Sequence, residues 1–141
     1  MFWHDCKIYA IAFDEFNYNL MFDIDYIFKW VSPEEDGYYR FWVSPVTLIF
    51  ENVYDLDISL ESTLGTIIES LERTNPSKPN NSDYINKDVE WEWTIETRNG
   101  VISFKSVGYT QYVRRAPVYK RAQEIEFKER GGYSFSVEHI E

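Results

Sequence analysis

Leu20-Met21-Phe22-Asp23-Ile24-Asp25-Tyr26-Ile27-Phe28-Lys29-Trp30-Val31 decides the fold. Every even position from Leu20 to Trp30 is apolar or aromatic, whereas the odd positions include Asp23, Asp25 and Lys29. Successive side chains of a strand point to opposite faces, so this is a long strand with one core face and one mixed face. The same alternation marks Val89-Glu90-Trp91-Glu92-Trp93-Thr94-Ile95-Glu96, where Val89, Trp91, Trp93 and Ile95 share a face and Glu90, Glu92 and Glu96 the other. Asn99-Gly100 follows, a preferred pair for a two-residue hairpin turn, and Val101 to Val107 returns.

Further strands are expected at Cys6–Phe13, Tyr38–Val43, Val46–Val53, Leu56–Leu60, Tyr109–Arg115 and Tyr133–Glu138. Ser44-Pro45 interrupts the run from Tyr38, because proline cannot donate to a central ladder, and Val46 to Val53 continues as another strand or as the same one past a bulge. Thr63 to Arg73 has apolar residues at helical spacing, but Gly65 and the β-branched run Thr66-Ile67-Ile68 favour a strand. Val118 to Phe127 fits a strand or a short helix. Asn75-Pro76-Ser77-Lys78-Pro79-Asn80-Asn81 has loop composition, which places a mobile loop near 75–83. The expectation is a mainly β, single-domain antiparallel sandwich or partly open barrel over residues 1–141, with about eight to ten strands and at most one or two short helices.

The chain has 141 residues, 26 of them aromatic, and a formal charge of −10. A nucleic-acid binder needs positive potential, and anionic membranes would repel this chain, so neither partner is expected. No stretch is long and apolar enough to span a bilayer, and Met1-Phe2-Trp3-His4-Asp5 lacks the basic start of a secretory signal. The single Cys6 excludes an internal disulfide and fits a reducing compartment or a small core residue. A cytoplasmic protein is expected. The charge is uneven: residues 1–97 hold 6 basic and 19 acidic side chains, residues 98–141 hold 8 and 5.

Few constellations carry chemistry. His4-Asp5-Cys6 with His139 invites a metal site, but no second cysteine or paired histidine spacing completes a ligand set. No metal or cofactor is expected. Asp23 and Asp25 share a strand face about 6–7 Å apart at Cα, a spacing that paired acids could use for hydrolysis. A solvated face or cross-strand ion pairs explain them more simply. No phosphate-cradling loop or nucleophile elbow occurs. In Tyr109-Thr110-Gln111-Tyr112-Val113-Arg114-Arg115, the two arginines fall on opposite faces, and Asp23 or Asp25 is a plausible mate for one. Tyr112 and Arg114 are otherwise candidates for a partner contact.

Trp3-His4-Asp5-Cys6, Phe41-Trp42-Val43-Ser44-Pro45, Phe50-Glu51-Asn52-Val53-Tyr54-Asp55-Leu56 and Gly108-Tyr109-Thr110-Gln111-Tyr112 resemble a family of small uncharacterised bacterial proteins. The opening His4-Asp5 with its alternating strands is also similar to immunity proteins that neutralise bacterial toxins. That likeness implies an acidic protein that binds a basic partner protein. The leading expectation is therefore a non-enzymatic binding protein, with His4, Asp5, Asp23, Asp25, Glu90, Glu92, Glu96, Tyr112 and Arg114 as candidate contacts. A β-barrel carrier of a small apolar ligand and a hydrolase using paired acids are the alternatives.

Overall fold

The structure, a computed structural model, describes residues 3–140. Nine strands and two single-turn helices occur among them: β1 (Lys7–Asp14), β2 (Asn19–Val31), β3 (Arg40–Glu51), β4 (Tyr54–Leu60), β5 (Ile68–Ser77), α1 (Ser82–Ile85), β6 (Glu90–Thr97), β7 (Gly100–Ser106), β8 (Gly108–Val113), β9 (Val118–Lys120) and α2 (Phe127–Arg130). The first sheet runs β1-β2-β3-β8, with β9 also on β3, and the second runs β4-β7-β6-β5. All strand pairings are antiparallel. Among the described residues the two sheets do not close into a barrel. One edge is nonetheless tied across: Ile8 N–H donates to Thr66 O at 2.8 Å and Ile68 N–H to Cys6 O at 2.9 Å.

The core lies between the sheets. Leu20, Phe22 and Ile24 of β2 pair with Phe50, Leu48 and Val46 of β3, and paired residues share a face. These six side chains are buried against Trp93, Ile95, Ile102 and Phe104 of the second sheet. The Phe50 ring packs against Phe22, Trp93 and Phe104 at centroid distances of 5.9, 5.1 and 4.7 Å. Each such side chain contributes about 1.5–3 kcal/mol by leaving water. Trp93 keeps its indole N–H satisfied on Ser106 O at 3.0 Å.

The alternation that opens in β2 does not run to its end. The pairing steps from Ile27↔Val43 to Lys29↔Trp42, leaving Phe28 as an extra residue. Such a bulge shifts every following side chain to the other face. Trp30 therefore pairs with Phe41 and sits 5.0 Å from its ring. Phe28 and Trp30, expected in the core, are exposed.

Pro45 does not break β3. It sits where the neighbouring strand is interrupted, because β8 pairs with residues 46–51 and β9 with residues 41–43. A missing N–H is tolerated in such a gap. The 63–73 stretch does yield a strand, β5, beginning at Ile68. That strand runs through Asn75 and Pro76 to Ser77, and α1 follows after a short connection, so part of the expected 75–83 loop is regular structure. The β6–β7 hairpin turns at Arg98-Asn99, with Gly100 already in β7 opposite Thr97.

The final strand expected at Tyr133–Glu138 is absent. Residues 121–140 instead form an irregular strap with α2 near its middle and one parallel bridge, Arg115↔Ile140. The strap lies over the face of the first sheet that points away from the second. Thr47 Oγ1 donates to Ser136 O at 2.6 Å, and Tyr9 OH donates to Ile125 O at 2.7 Å.

Candidate interaction groove

Beneath the strap, Asp23 and Asp25 are wholly buried rather than solvated, and Arg114 and Arg130 are buried with them. Arg130 donates to both carboxylates, at 2.7 and 2.9 Å to Asp23 and 3.0 Å to Asp25. Arg114 reaches Asp23 Oδ1 at 2.7 Å, the mate the sequence pointed to, and Thr47 Oγ1 at 2.9 Å. Backbone N–H groups of the strap complete the set, Ile125 donating to Asp25 at 2.8 Å and Ser134 to Asp23 at 3.0 Å. Two charges of each sign are thus matched with their lone pairs used, as burial requires. Burial pushes the Asp25 carboxyl above its ordinary range, against the pull of Arg130 and of the Ile125 N–H. Burial pulls Arg130 down, but its bonds to Asp23 and the fields of Asp25 and Asp23 leave it raised overall.

This quartet is a fastener. A hydrolase built on Asp23 and Asp25 needs a cleft that admits substrate and water, and the strap seals both. For the same reason Asp23, Asp25 and Arg114 offer no surface to a partner in this structure. Tyr112, opposite Thr47 on the same face, is half-buried.

The β6 acids divide. Glu92 and Glu96 are exposed, accepting hydrogen bonds from Asn75 and Ser70 respectively. Glu90 is only 1% exposed; Tyr54 OH donates to its Oε2, while its Oε1 takes no hydrogen bond among the described residues. Cys6 is buried, and desolvation pushes its thiol up to about 12. No group of three or more metal-ligating side chains occurs among the described residues.

The surface that stands out is the end of the β2–β3 hairpin. The bulge at Phe28 turns Trp30 outward, and the turn that follows carries Glu34, Glu35 and Asp36, then Tyr38 and Tyr39. Trp30, Tyr38 and Tyr39 are 44, 66 and 48% exposed. Trp30 and Tyr39 meet edge-on at 5.9 Å, and Trp42 packs on Tyr119 of β9 at 5.2 Å. Asp36 is shared by two guanidinium groups, Arg40 in a close pair and Arg121 at 3.6 Å. Those bonds, led by Arg40, hold the Asp36 carboxyl below its usual range. No hydrogen bond or ion pair ties the side chains of Glu34 or Glu35 among the described residues.

Three surface cavities adjoin around this hairpin. One of about 250 Å³ is walled by Glu34, Glu35, Asp36, Tyr38, Arg40 and Tyr119. A second, about 350 Å³, shares Tyr38 with it and adds Tyr39, Phe41 and Arg121. A third, about 300 Å³, shares Phe41 and Arg121 with the second and reaches Asp5, Lys7, Arg98 and Glu124. Together they make one groove with an acidic end, an aromatic middle and a mixed-charge end. His4 and Asp5, two of the expected contacts, lie at the mixed end. They pair at 3.2 Å, and Asp5 also accepts from Gln123 at 3.0 Å.

In the sequence, Ser32-Pro33-Glu34-Glu35-Asp36-Gly37 has the composition of a turn, with Pro33 and Gly37, and nothing in the strand pattern marks it as a site. Three consecutive acids followed by two tyrosines are more charge and ring than a turn needs, and that excess was the available signal. Nothing local announces Arg121, which arrives from the strap. An apolar carrier requires an interior cavity lined by Trp and Phe; the five cavities described among residues 3–140 are surface cavities of about 210–350 Å³ that open to solvent. No helix among the described residues is long and apolar enough to cross a membrane. Comparison with protein-family models, curated proteins and solved structures returned no match.

Proposed function

We propose that this protein is a non-enzymatic binding module that meets a basic partner protein at the β2–β3 hairpin groove. The observation that carries this reading is the hairpin itself. A bulge turns Trp30 out of the core, and Tyr38 and Tyr39 stand exposed in the connection beside three consecutive carboxylates, two of them without an ion pair among the described residues. Rigid aromatic anchors supply contact area at low entropic cost, and unneutralised acids steer a basic partner and reject acidic ones. The net charge of −10 acts in the same direction over a longer range. A cytoplasmic role like that of an immunity protein is compatible with this chemistry and is part of the proposal.

The test is a pull-down from native lysate at low and high salt, with the wild type beside a Glu34→Lys/Glu35→Lys variant. Both positions are exposed turn residues, so folding is expected to survive the change. The expected result is a basic protein recovered by the wild type at low salt, diminished at high salt and absent with the variant. Recovery of no partner at either salt, or equal recovery by the variant, would overturn the reading.

A further inference from the structure

Within the groove, the two cations on Asp36 are held very differently. Arg40 is anchored by its close pair with Asp36 and by bonds from Nη1 to Tyr38 O at 3.0 Å and Tyr39 O at 3.4 Å. Among the described residues Arg121 has only the 3.6 Å contact with Asp36, and its side chain is 73% exposed. An exposed pair of that length is worth little and exchanges readily. Arg121 therefore occupies one side of the Asp36 carboxylate without being fixed there.

The rings beside it are exposed and, among the described residues, carry no cation of their own. Elsewhere this chain stacks guanidinium groups on aromatic rings, Arg73 over Trp91 at 4.2 Å and Arg130 over Tyr9 at 4.0 Å. No cation lies over Trp30, Tyr38 or Tyr39 among the described residues. A planar guanidinium can stack on a ring and grip a carboxylate at once, whereas an ammonium acts as a point charge. The second cavity, bounded by Tyr38, Tyr39, Phe41 and Arg121, has room for such a group.

Resting on the binding reading above, we propose that the groove takes an arginine side chain from an extended segment of the partner protein. It sits on Asp36 and the Tyr38 and Tyr39 rings, in competition with the chain's own Arg121. Arg121 is then a built-in competitor that sets a floor on the affinity a partner must exceed. It favours arginine over lysine, because only a guanidinium uses both the rings and the carboxylate.

The test is calorimetric titration of the full chain with two capped peptides, Ser-Arg-Ser-Arg-Ser-Arg-Ser and its lysine counterpart. The variants are Arg121→Ala, Tyr39→Ala and Lys78→Ala; the last removes the same charge from an exposed site past the far end of β5. The expected result is tighter binding of the arginine peptide than of the lysine one. Arg121→Ala should tighten the arginine peptide by about two- to fivefold, the equivalent of one surface ion pair, and Lys78→Ala should leave it nearly unchanged. Tyr39→Ala should erase the preference for arginine. Equal binding of the two peptides, no binding of either, or an Arg121→Ala effect no larger than that of Lys78→Ala would overturn the proposal. The pull-down with the Glu34→Lys/Glu35→Lys variant decides the binding reading separately, so a failure of the arginine proposal is distinguishable from a failure of that reading.

Discussion

Arg130 touches more of the buried polar set than any other side chain: both carboxylates, the carbonyls of Ile24 and Gly132, and the Tyr9 ring. Removing it strands two buried carboxylates with one remaining arginine. Arg130→Met is therefore expected to lose about 3–5 kcal/mol in urea denaturation, the usual cost of breaking a buried pair from one side. A loss below 1 kcal/mol would mean that water reaches the quartet. Cys6 makes a second residue-scale case. Its thiol would ionise near 9.0 in the unfolded chain and near 12 in the folded one. Between those values the folded state holds the extra proton, so rising pH favours unfolding. Burial raises Tyr9 and Tyr54 as well, which adds loss in the same direction. Stability should fall as pH climbs from about 9 toward 12, and Cys6→Ala should make the decline shallower in pH-dependent melts. At neutral pH the thiol should resist alkylation until denaturant is added.

At the scale of elements, two local devices shape the molecule. The bulge at Phe28 ends the core face of β2 and begins the exposed aromatic patch. Gly100 lets the β6–β7 hairpin pass close to β4: it has φ +149°, and a Cβ there would lie 2.0 Å from Ser59 O. Gly100→Ala should cost about 1–3 kcal/mol in backbone strain alone, with the clash adding to it, as a drop in denaturation midpoint. The alternation of Leu20 to Tyr26 and of Trp91 to Ile95 was legible because period-2 patterns report faces directly. The bulge was not, because a one-residue shift in pairing leaves no mark in the alternation of the bulged strand itself. Tyr133, Phe135 and Val137 alternate like a strand, yet the strap finds polar partners on the first sheet, Asp23 and Thr47, instead of a ladder. The burial of Asp23 and Asp25 was equally hidden, since Arg130 and Ser134 lie more than a hundred residues along the chain.

Across the whole molecule, the charge separates by use. Asp23 and Asp25 are spent inside against Arg114 and Arg130, so they add nothing to the outer field. Glu92 and Glu96 are tied to neighbours on the second sheet. Glu34 and Glu35 are among several exposed acids without an ion pair among the described residues, and they lie beside the most exposed rings of the hairpin. Binding at this end should weaken steeply as ionic strength rises, because exposed charges are screened within about 8–10 Å. The aromatic richness of the sequence thus divides into a packed interior around Phe50 and a surface set around Trp30.

The decisive measurement is amide chemical-shift mapping of the full chain during titration with the arginine peptide. Shifts concentrated at residues 30–41 and 119–123, saturating with one peptide per chain and fading with salt, are the expected result. Shifts centred instead on the Glu92 and Glu96 face of the second sheet, or spread without saturation, would contradict the hairpin groove as the working surface of this protein.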